Sequence, residues 1–507
     1  MRRTAPEGHG PGAGRGGPGR DRGQGPGSGH GAPAQGSGND PGPGHAGPGR
    51  DGGQNPVPGP GDGGPGQDSG RDPRPGNDGP AHDSAPGDGR GPARGRGEGH
   101  GPVRYGPSAL PGDGLPVLPE LSAALAASAA RRAERPIGGG GSLLAAAAGY
   151  WQRRGLATTP DRVAAAPGAP ALLLALTAAL GGDVLVPRPC AAWWAPSARL
   201  LGRPAFPVAT PAECGGVPDP YALLETVRRV RAEGGDPRLL VLAVADDPTA
   251  TVAPPELLHE TVEAAAGEGL HLVSDETWRD TVHAPHETVL LSPAEMLPDR
   301  VTVVTDLAGA FLPSGWPAAV ARFPDGARGD ALHARVLDIL TALDARVAEP
   351  VAAAAGYALD EPEPVTTRLA ATVRLHARLA RAVHAAVVAA GALARPPQAG
   401  RHLYADLGPL RPALAAHGVG DAQELEDFLS ARTGLRAPGG HRFGDDLGAL
   451  RVRLAGAELL GGTDEERARC LLSPEPSELP HVRRALISLR SVFDDLRDDA
   501  RRWEPPR

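Results

Sequence analysis

The pattern of apolar positions divides the chain into two contrasting parts. Residues 1–104 contain almost no large apolar side chains, and about half of them are Gly or Pro. Such a segment cannot bury enough surface to offset the entropy cost of ordering it, so we predict that it is disordered. Its charges nearly cancel, which favours a solvated spacer, or a misassigned translation start, over a partner-binding arm.

From about Leu115 onward, short apolar runs alternate with amphipathic stretches. This alternation predicts an α/β fold with a mostly parallel sheet and helices on both of its faces. Ligands of such sheets bind at the carboxyl ends of the strands. The predicted strands are Asp183–Pro187, Leu239–Val244, Leu270–Asp275, Val301–Asp306 and Ala318–Phe323, and the predicted helices between them are Ala171–Leu180, Asp219–Ala232 and Pro254–Gly267.

After Arg328 the pattern becomes mainly helical, with a long amphipathic stretch over residues 365–390. A smaller α/β region follows, with strands at Leu403–Leu407 and Leu450–Leu454, a helix at Gln423–Thr433 and a last helix at Leu479–Arg502. We therefore predict four parts: a disordered Gly/Pro-rich tail (1–104), an N-terminal segment of a small domain (105–155), a large domain (156–345) and a C-terminal small domain (346–507).

Composition excludes several classes of protein. A formal net charge of −8 and a pI of about 6.1 argue against a nucleic-acid partner. No run approaches the ~20 apolar residues that a membrane span needs, and no apolar region follows Arg2 and Arg3 as a secretory signal would require. Sparse cysteines at positions 190, 214 and 470 are typical of reduced thiols, so we expect a cytoplasmic protein.

The chain contains no lysine, and its basic residues are arginine and histidine. A GC-rich codon bias accounts for arginine in place of lysine on a surface. Arginine, however, stays protonated and cannot act as a nucleophilic amine. Any chemistry that depends on a lysine is therefore closed to this chain.

Seven segments within residues 138–456 carry a resemblance to a known family. They are Gly149–Gly155 with Thr159–Val163, Gly168-Ala169, Gly182–Pro187, Asp247–Thr251, Ser274–Trp278, Gly315-Trp316, and Pro438–Gly444 with Leu450–Leu454. In this order and spacing they resemble the class I/II aminotransferases, which are pyridoxal-phosphate enzymes. The resemblance implies the aspartate aminotransferase fold (PLP fold type I), with a large domain and a smaller α/β domain.

The resemblance also implies roles for individual residues. Asp275 matches the aspartate that pairs with the pyridine nitrogen of the cofactor. Gly168 and Ala169 match the start of a helix that binds the phosphate. Arg453 matches the arginine that grips the substrate carboxylate. The alternative for Asp275 is a helix N-cap or a surface acid, and the SDET context favours the family role. The alternative for Arg453 is a surface arginine, and Arg451, on the same face of the strand, leaves the choice between the two arginines open.

Several positions depart from the family pattern. Asp247 stands where the family has an asparagine that donates to the phenolic oxygen of the cofactor, and an ionised aspartate cannot donate. Trp278 replaces a tyrosine that donates to the same oxygen. Pro170 follows the phosphate-binding helix start and lacks an N–H group.

The most consequential departure is in the segment that should carry the Schiff-base lysine. Asp306-Leu307-Ala308-Gly309 matches the family's Ser-Leu-Ser-Lys, which places Gly309 at the lysine. Pro317 stands where an arginine grips the phosphate. Because the lysine both holds the cofactor and moves the proton, no catalytic residue is predicted, and we expect transamination to be impaired or absent.

Two other features of the sequence supply no alternative chemistry. His283 and His286 are three residues apart, but Pro285 lies between them and no third ligand is evident, so no metal site is predicted. The pair Trp193-Trp194 lies near the position where the family stacks an aromatic ring on the cofactor, although packing in the core or at a dimer interface is the simpler interpretation.

Three hypotheses follow. The first is a degenerate aminotransferase that binds an amino acid or 2-oxo acid, or partners an active homologue. The second is an active transaminase, transferring an amino group from an amino acid to a 2-oxo acid with pyridoxal phosphate and an unforeseen base. The third is a scaffolding or regulatory protein. In each case the resemblance implies a homodimer.

Overall fold

The computed structural model describes residues 112–130, 136–211 and 213–502. The predicted disordered tail, residues 1–104, lies outside the described residues.

The large sheet has seven strands in the order β1-β7-β6-β5-β4-β2-β3. Strand β7 runs antiparallel to both of its neighbours, and the other pairs are parallel, which confirms the mostly parallel sheet. The strands are β1 (Val163–Ala166), β2 (Asp183–Arg188), β3 (Ala205–Ala209), β4 (Pro237–Ala243), β5 (His271–Asp275), β6 (Val301–Asp306) and β7 (Ala319–Arg322). The sequence pattern did not predict β1, which is rich in alanine, or the edge strand β3, which contains a proline.

Helices surround this sheet. Before it come α1 (Pro119–Ala129) and α2 (Gly141–Arg153); between strands lie α3 (Ala169–Leu180), α4 (Trp194–Leu200), α5 (Pro220–Ala232), α6 (Pro255–Gly267) and α7 (Pro293–Met296); after it follow α8 (Ala327–Ala342), α9 (Glu349–Leu359) and α10 (Glu363–Ala389). The predicted helices are all present. None of the described helices is long and apolar enough to cross a membrane.

The second sheet is antiparallel, in the order β10-β9-β8. Its strands are β8 (Leu393–Ala394), β9 (His402–Asp406) and β10 (Arg451–Ala455), and its helices are α11 (Arg411–Ala416), α12 (Ala422–Thr433), α13 (Asp464–Leu472) and α14 (Pro480–Arg502). One apolar cluster joins β9 and β10 to α10 and α14. The two α/β regions match the predicted large and small domains, while the boundaries at residues 155 and 345 stay predictions.

The large sheet is buried on both faces. Along β4, Leu239 and Val241 join the apolar cluster on one face, and Leu240 and Leu242 join the cluster on the other. All four side chains are at most 1% exposed. This explains the continuous apolar runs in the sequence, because a parallel strand covered on both faces does not alternate with polar residues. Each buried leucine or valine contributes about 1.5–3 kcal/mol.

A buried charge network ties helix α2 to the loop after β5 and to the end of α9. The guanidinium of Arg154 lies 2.6 Å from both Asp280 and Glu361 and 3.6 Å from the ring centroid of Tyr150. The Tyr150 hydroxyl donates to Asp280 at 2.6 Å. The three charged side chains are only 13–14% exposed. Arg154 therefore compensates two carboxylates that water screens poorly.

We expect Arg154→Leu to lower the free energy of unfolding by about 3 kcal/mol, because it leaves two largely buried carboxylates without their shared cation. The neighbouring variant Arg153→Leu is the matched control. Its side chain is 43% exposed and also contacts Glu361, so a loss of less than about 1 kcal/mol is expected. Urea unfolding of both variants measures the difference, and equal losses would contradict the assignment.

Candidate functional site

The candidate site is at the carboxyl ends of the parallel strands. Asp275 ends β5, Asp306 ends β6, and Asp247 follows β4. Gly168 follows β1 and caps helix α3. Arg453 comes from β10 of the smaller sheet and reaches Asp247. The predicted cofactor and substrate residues are thus brought together by the fold.

A carboxylate is bound at the N-terminus of helix α3, where the resemblance places a phosphate. Asp306 Oδ2 accepts from the backbone N–H of Ala169 at 2.8 Å, and Oδ1 accepts from that of Ala308 at 3.0 Å. Burial raises the pKa of Asp306, and these two hydrogen bonds oppose the rise. Gly168 has a φ of 103°, so it aims the helix start at Asp306 with a backbone that other residues rarely adopt. The chain itself thus supplies the anion that a helix N-terminus favours.

Asp275 is in the position predicted for the partner of a pyridine nitrogen, but protein donors already contact both of its oxygens. The indole Nε1–H of Trp194 donates to Oδ2 at 3.2 Å, and the backbone N–H of Thr277 donates to Oδ1 at 3.0 Å. Trp194 is 1% exposed. Burial raises the pKa of Asp275 to about 6. The tryptophan that the sequence analysis assigned to packing is therefore the polar partner of this carboxyl group.

The predicted substrate arginine is paired within the chain. Arg453 Nη1 donates to Asp247 Oδ1 at 2.6 Å and to Oδ2 at 2.9 Å, and both side chains are buried. Arg451 pairs instead with Asp406 and Asp445 and is 38% exposed. Of the two candidates, Arg453 is thus the one that faces the site. Asp247 neutralises the charge that the resemblance reserves for a substrate carboxylate.

Trp278 is packed as a buried aromatic. It is 3% exposed and lies in an apolar cluster with Val252 and Val282. His402 meets it edge-on at 5.3 Å between ring centroids, and the guanidinium of Arg401 lies 4.9 Å from its ring. Burial lowers the pKa of His402 to about 4, so its imidazole is neutral at pH 7.

The position that matches the Schiff-base lysine has no room for a side chain. A Cβ atom on Gly309 would lie 2.1 Å from the carbonyl oxygen of Thr277, well inside van der Waals contact. Arg401 Nη2 donates to the carbonyl oxygens of Ala308 and Gly309, each at 2.8 Å, and holds the segment there. Burial lowers the pKa of Arg401 to about 10, so it remains a cation at neutral pH.

A cavity of about 970 Å³ opens beside the start of α3. Its lining is largely apolar and includes Pro170, Leu174, Trp193, Leu200 and Pro317. Asp306 and the ion pair Arg436–Glu458 also line it. Pro317 thus borders the cavity where the resemblance expects a phosphate-binding arginine.

Three contacts were not evident from sequence: the cap that Asp306 forms on α3, the hydrogen bond from Trp194, and the hold of Arg401 on the 308–309 carbonyls. The one sequence signal for the first is Asp306 itself, an acidic residue at a position where the family pattern has a serine. For metal chemistry, no group of three His, Cys, Asp or Glu side chains in the described part of the chain could hold an ion. Both ring nitrogens of His283 contact backbone carbonyls.

Comparison with known proteins shows the family to which the chain belongs. The family model for aminotransferase class I and II matches residues 113–458, so the chain belongs to the class I and II aminotransferase family. A probable aspartate/prephenate aminotransferase of Thermus aquaticus is 31% identical over 184 residues, which cover 36% of this chain and 46% of that protein. An aspartate/prephenate aminotransferase of Thermus thermophilus is 30% identical over 184 residues, which cover 36% of this chain and 46% of that protein. The matched segments thus span under half the length of these relatives.

Solved structures share the fold. An aspartate aminotransferase double mutant of Thermus thermophilus superposes with a TM-score of 0.58 at 23% identity, covering 70% of this chain and 86% of that one. An aromatic aminotransferase from Pyrococcus horikoshii superposes with a TM-score of 0.58 at 18% identity, covering 74% and 90%.

The family depends on pyridoxal phosphate, but the residues of this site do not fit that cofactor. The phosphate would meet the carboxylate of Asp306 at the helix start. The pyridine nitrogen would compete with Trp194 for Asp275. No side chain can extend from Gly309 without moving Thr277. The geometry therefore supports no step through pyridoxal phosphate.

We expect Gly309→Ala to lower the free energy of unfolding by about 1–3 kcal/mol, because the methyl group of the new alanine overlaps the Thr277 carbonyl. Gly315→Ala is the matched control in the same segment, since its Cβ would meet no atom within 4 Å. Denaturant unfolding compares the two. A Gly309→Ala protein as stable as the Gly315→Ala protein would contradict the packing described here.

Asp275 also generates a pH prediction. Its folded-state pKa is raised from 3.8 to about 6, so its stabilising contribution is complete below about pH 4 and is lost as pH rises through about 6. Asp275→Asn does not titrate. The stability of this variant relative to the parent should therefore rise by on the order of 2 kcal/mol from about pH 4 to pH 7.

Urea unfolding at several pH values measures this difference. Asp338→Asn, which removes an exposed carboxyl group on α8, controls for the loss of one charge. A pH-independent difference for Asp275→Asn would mean that burial does not perturb this group.

Proposed function

We propose that this chain is a non-catalytic member of the class I/II aminotransferase family, with a site closed by interactions within the chain. The observation that carries the proposal is Gly309. It replaces the lysine on which the family's amino-group transfer depends, and its packing against Thr277 leaves no space for a side chain. No lysine elsewhere in the sequence can substitute for it.

The pairing of charges supports the same proposal. The predicted substrate arginine, Arg453, is held by Asp247 at 2.6 Å. A substrate carboxylate would have to displace a buried carboxylate from this pair. Because breaking a buried ion pair costs about 3–5 kcal/mol, the arginine is poorly available. The amino-acid and 2-oxo-acid ligands that the resemblance implies therefore need a different mode of binding here.

The second candidate, an active transaminase with an unforeseen base, requires a group that accepts a proton near neutral pH. Asp246 is the buried residue that comes nearest, because burial raises its pKa to about 7. It is, however, engaged by the hydroxyl and the backbone N–H of Thr249. A carboxylate can move a proton, but it cannot form a Schiff base with an aldehyde. This candidate thus lacks the covalent step.

A scaffolding or regulatory role is the third candidate. For all three we propose a homodimer, which the resemblance to the family implies, in the cytoplasm. Partnership with an active homologue would combine the first and third candidates.

Titration of the purified protein with pyridoxal phosphate tests the proposal. We expect no saturable change in the absorbance of the aldehyde and, after borohydride reduction, no adduct by intact mass beyond labelling of the N-terminal amine. Amino-acid donors with 2-oxo acids should give no turnover. An active aminotransferase of the family serves as the positive control, and turnover by this chain would overturn the proposal.

Asp306→Ser, which introduces the residue of the family pattern, is the informative variant. The substitution removes a carboxylate from the start of α3. The variant protein should therefore bind pyridoxal phosphate roughly tenfold or more tightly than the parent does. Asp338→Asn is again the charge-matched control. Equal, tight binding by parent and Asp306→Ser would show that the internal carboxylate does not close the phosphate position.

A further inference from the structure

A second pocket lies at the opposite end of the large sheet. It has a volume of about 400 Å³ and is formed where β4 and β5 begin, at Pro237 and His271. The residue Arg300, just before β6, and helix α8 complete it. Since β5 runs from His271 to Asp275, roughly 13 Å of strand separates this pocket from the candidate functional site.

Five arginines line this pocket with only two carboxylates. Arg231 pairs with Glu268, and Arg238 pairs with Asp236 at 2.6 Å. The other three arginines are Arg300, Arg328 and Arg335. Among the residues that the structure describes, none of these three has a carboxylate within ion-pair distance. The pocket therefore holds about three uncompensated positive charges in a chain whose net charge is −8.

The geometry of α8 directs this charge into the pocket. Arg328, Leu332 and Arg335 are spaced at i, i+4 and i+7, so they share one face of the helix. Arg300 also lines the pocket, and its Nη1 donates to the Ala266 carbonyl at 3.3 Å. The buried imidazole of His271 faces the same charges: burial first, and then Arg328 and Arg300, lower its pKa to about 4. His271 thus adds a neutral polar group to the lining of the pocket.

From this arrangement we infer a binding site for a multiply charged phosphate anion, such as a phosphorylated metabolite or inorganic pyrophosphate. Guanidinium groups bind phosphate oxygens with two parallel hydrogen bonds, and they keep their charge at any physiological pH. Like charges gathered in one concave pocket repel each other until an anion joins them. A volume of about 400 Å³ lies within the range of small-molecule sites.

Calorimetric titration with pyrophosphate at low ionic strength tests the inference, with orthophosphate and ADP as parallel arms. We expect pyrophosphate to bind, and the double variant Arg328→Ser/Arg335→Ser to bind at least about tenfold more weakly. Stronger binding of ADP than of pyrophosphate would identify an organic phosphate as the preferred source, and the reverse would identify the inorganic anion. These ligands carry no aldehyde, so the result is independent of the proposal on transamination.

The control is Arg228→Ser/Arg490→Ser, which removes two arginines of equal charge that do not line the pocket. It should bind pyrophosphate within about twofold of the parent. All four positions are exposed, and thermal unfolding checks that each variant is folded. Absence of pyrophosphate binding to the parent, or equal weakening by both double variants, would overturn the inference.

Discussion

The carboxylate of Asp306 determines the shape of the whole site, because it joins the end of β6 to the beginning of α3. One of its oxygens accepts from Ala169 at the start of the helix, and the other accepts from Ala308, two residues further along its own loop. The same group therefore satisfies an N–H group of the helix start and fixes the turn that leads to Gly309. Hydrogen bonds to an ionised group are roughly twice as strong as neutral ones, so this turn is held firmly against the sheet.

Three further buried charged groups at this end of the sheet also have partners within the chain. A charge far from water must be paired or hydrogen-bonded. Arg401 meets this requirement by donating to the carbonyls of residues 308 and 309, Arg453 by pairing with Asp247, and Asp275 by accepting from Trp194. Each pair joins groups from different elements of the fold. The result is a set of interactions in which a ligand could bind these charged groups only by breaking at least one buried contact.

Much of the fold could be predicted from the sequence, because its signals are local. Runs such as Val301–Asp306 and start signals such as Asp219, whose side chain caps α5, do not depend on distant partners. The Ala-rich β1 gave no such signal. In the site, motif spacing placed Asp275 and Gly309 at the carboxyl ends of the strands. The pairing of Trp194 with Asp275 bridges 81 positions, and no local pattern reports which buried donor meets which acceptor.

The two ends of the large sheet present opposite electrostatic situations. At the carboxyl ends, Asp306, Asp275 and Arg453 all have partners within the chain, so little interaction free energy remains for a ligand. At the other end, Arg328 and Arg335 face a pocket whose two carboxylates, Asp236 and Glu268, already pair with other arginines. A ligand gains affinity where it satisfies charges that the protein leaves uncompensated, and loses it where it must compete with internal pairs. By this reasoning, the anion site that we propose lies at the end of the sheet that the family's chemistry does not use.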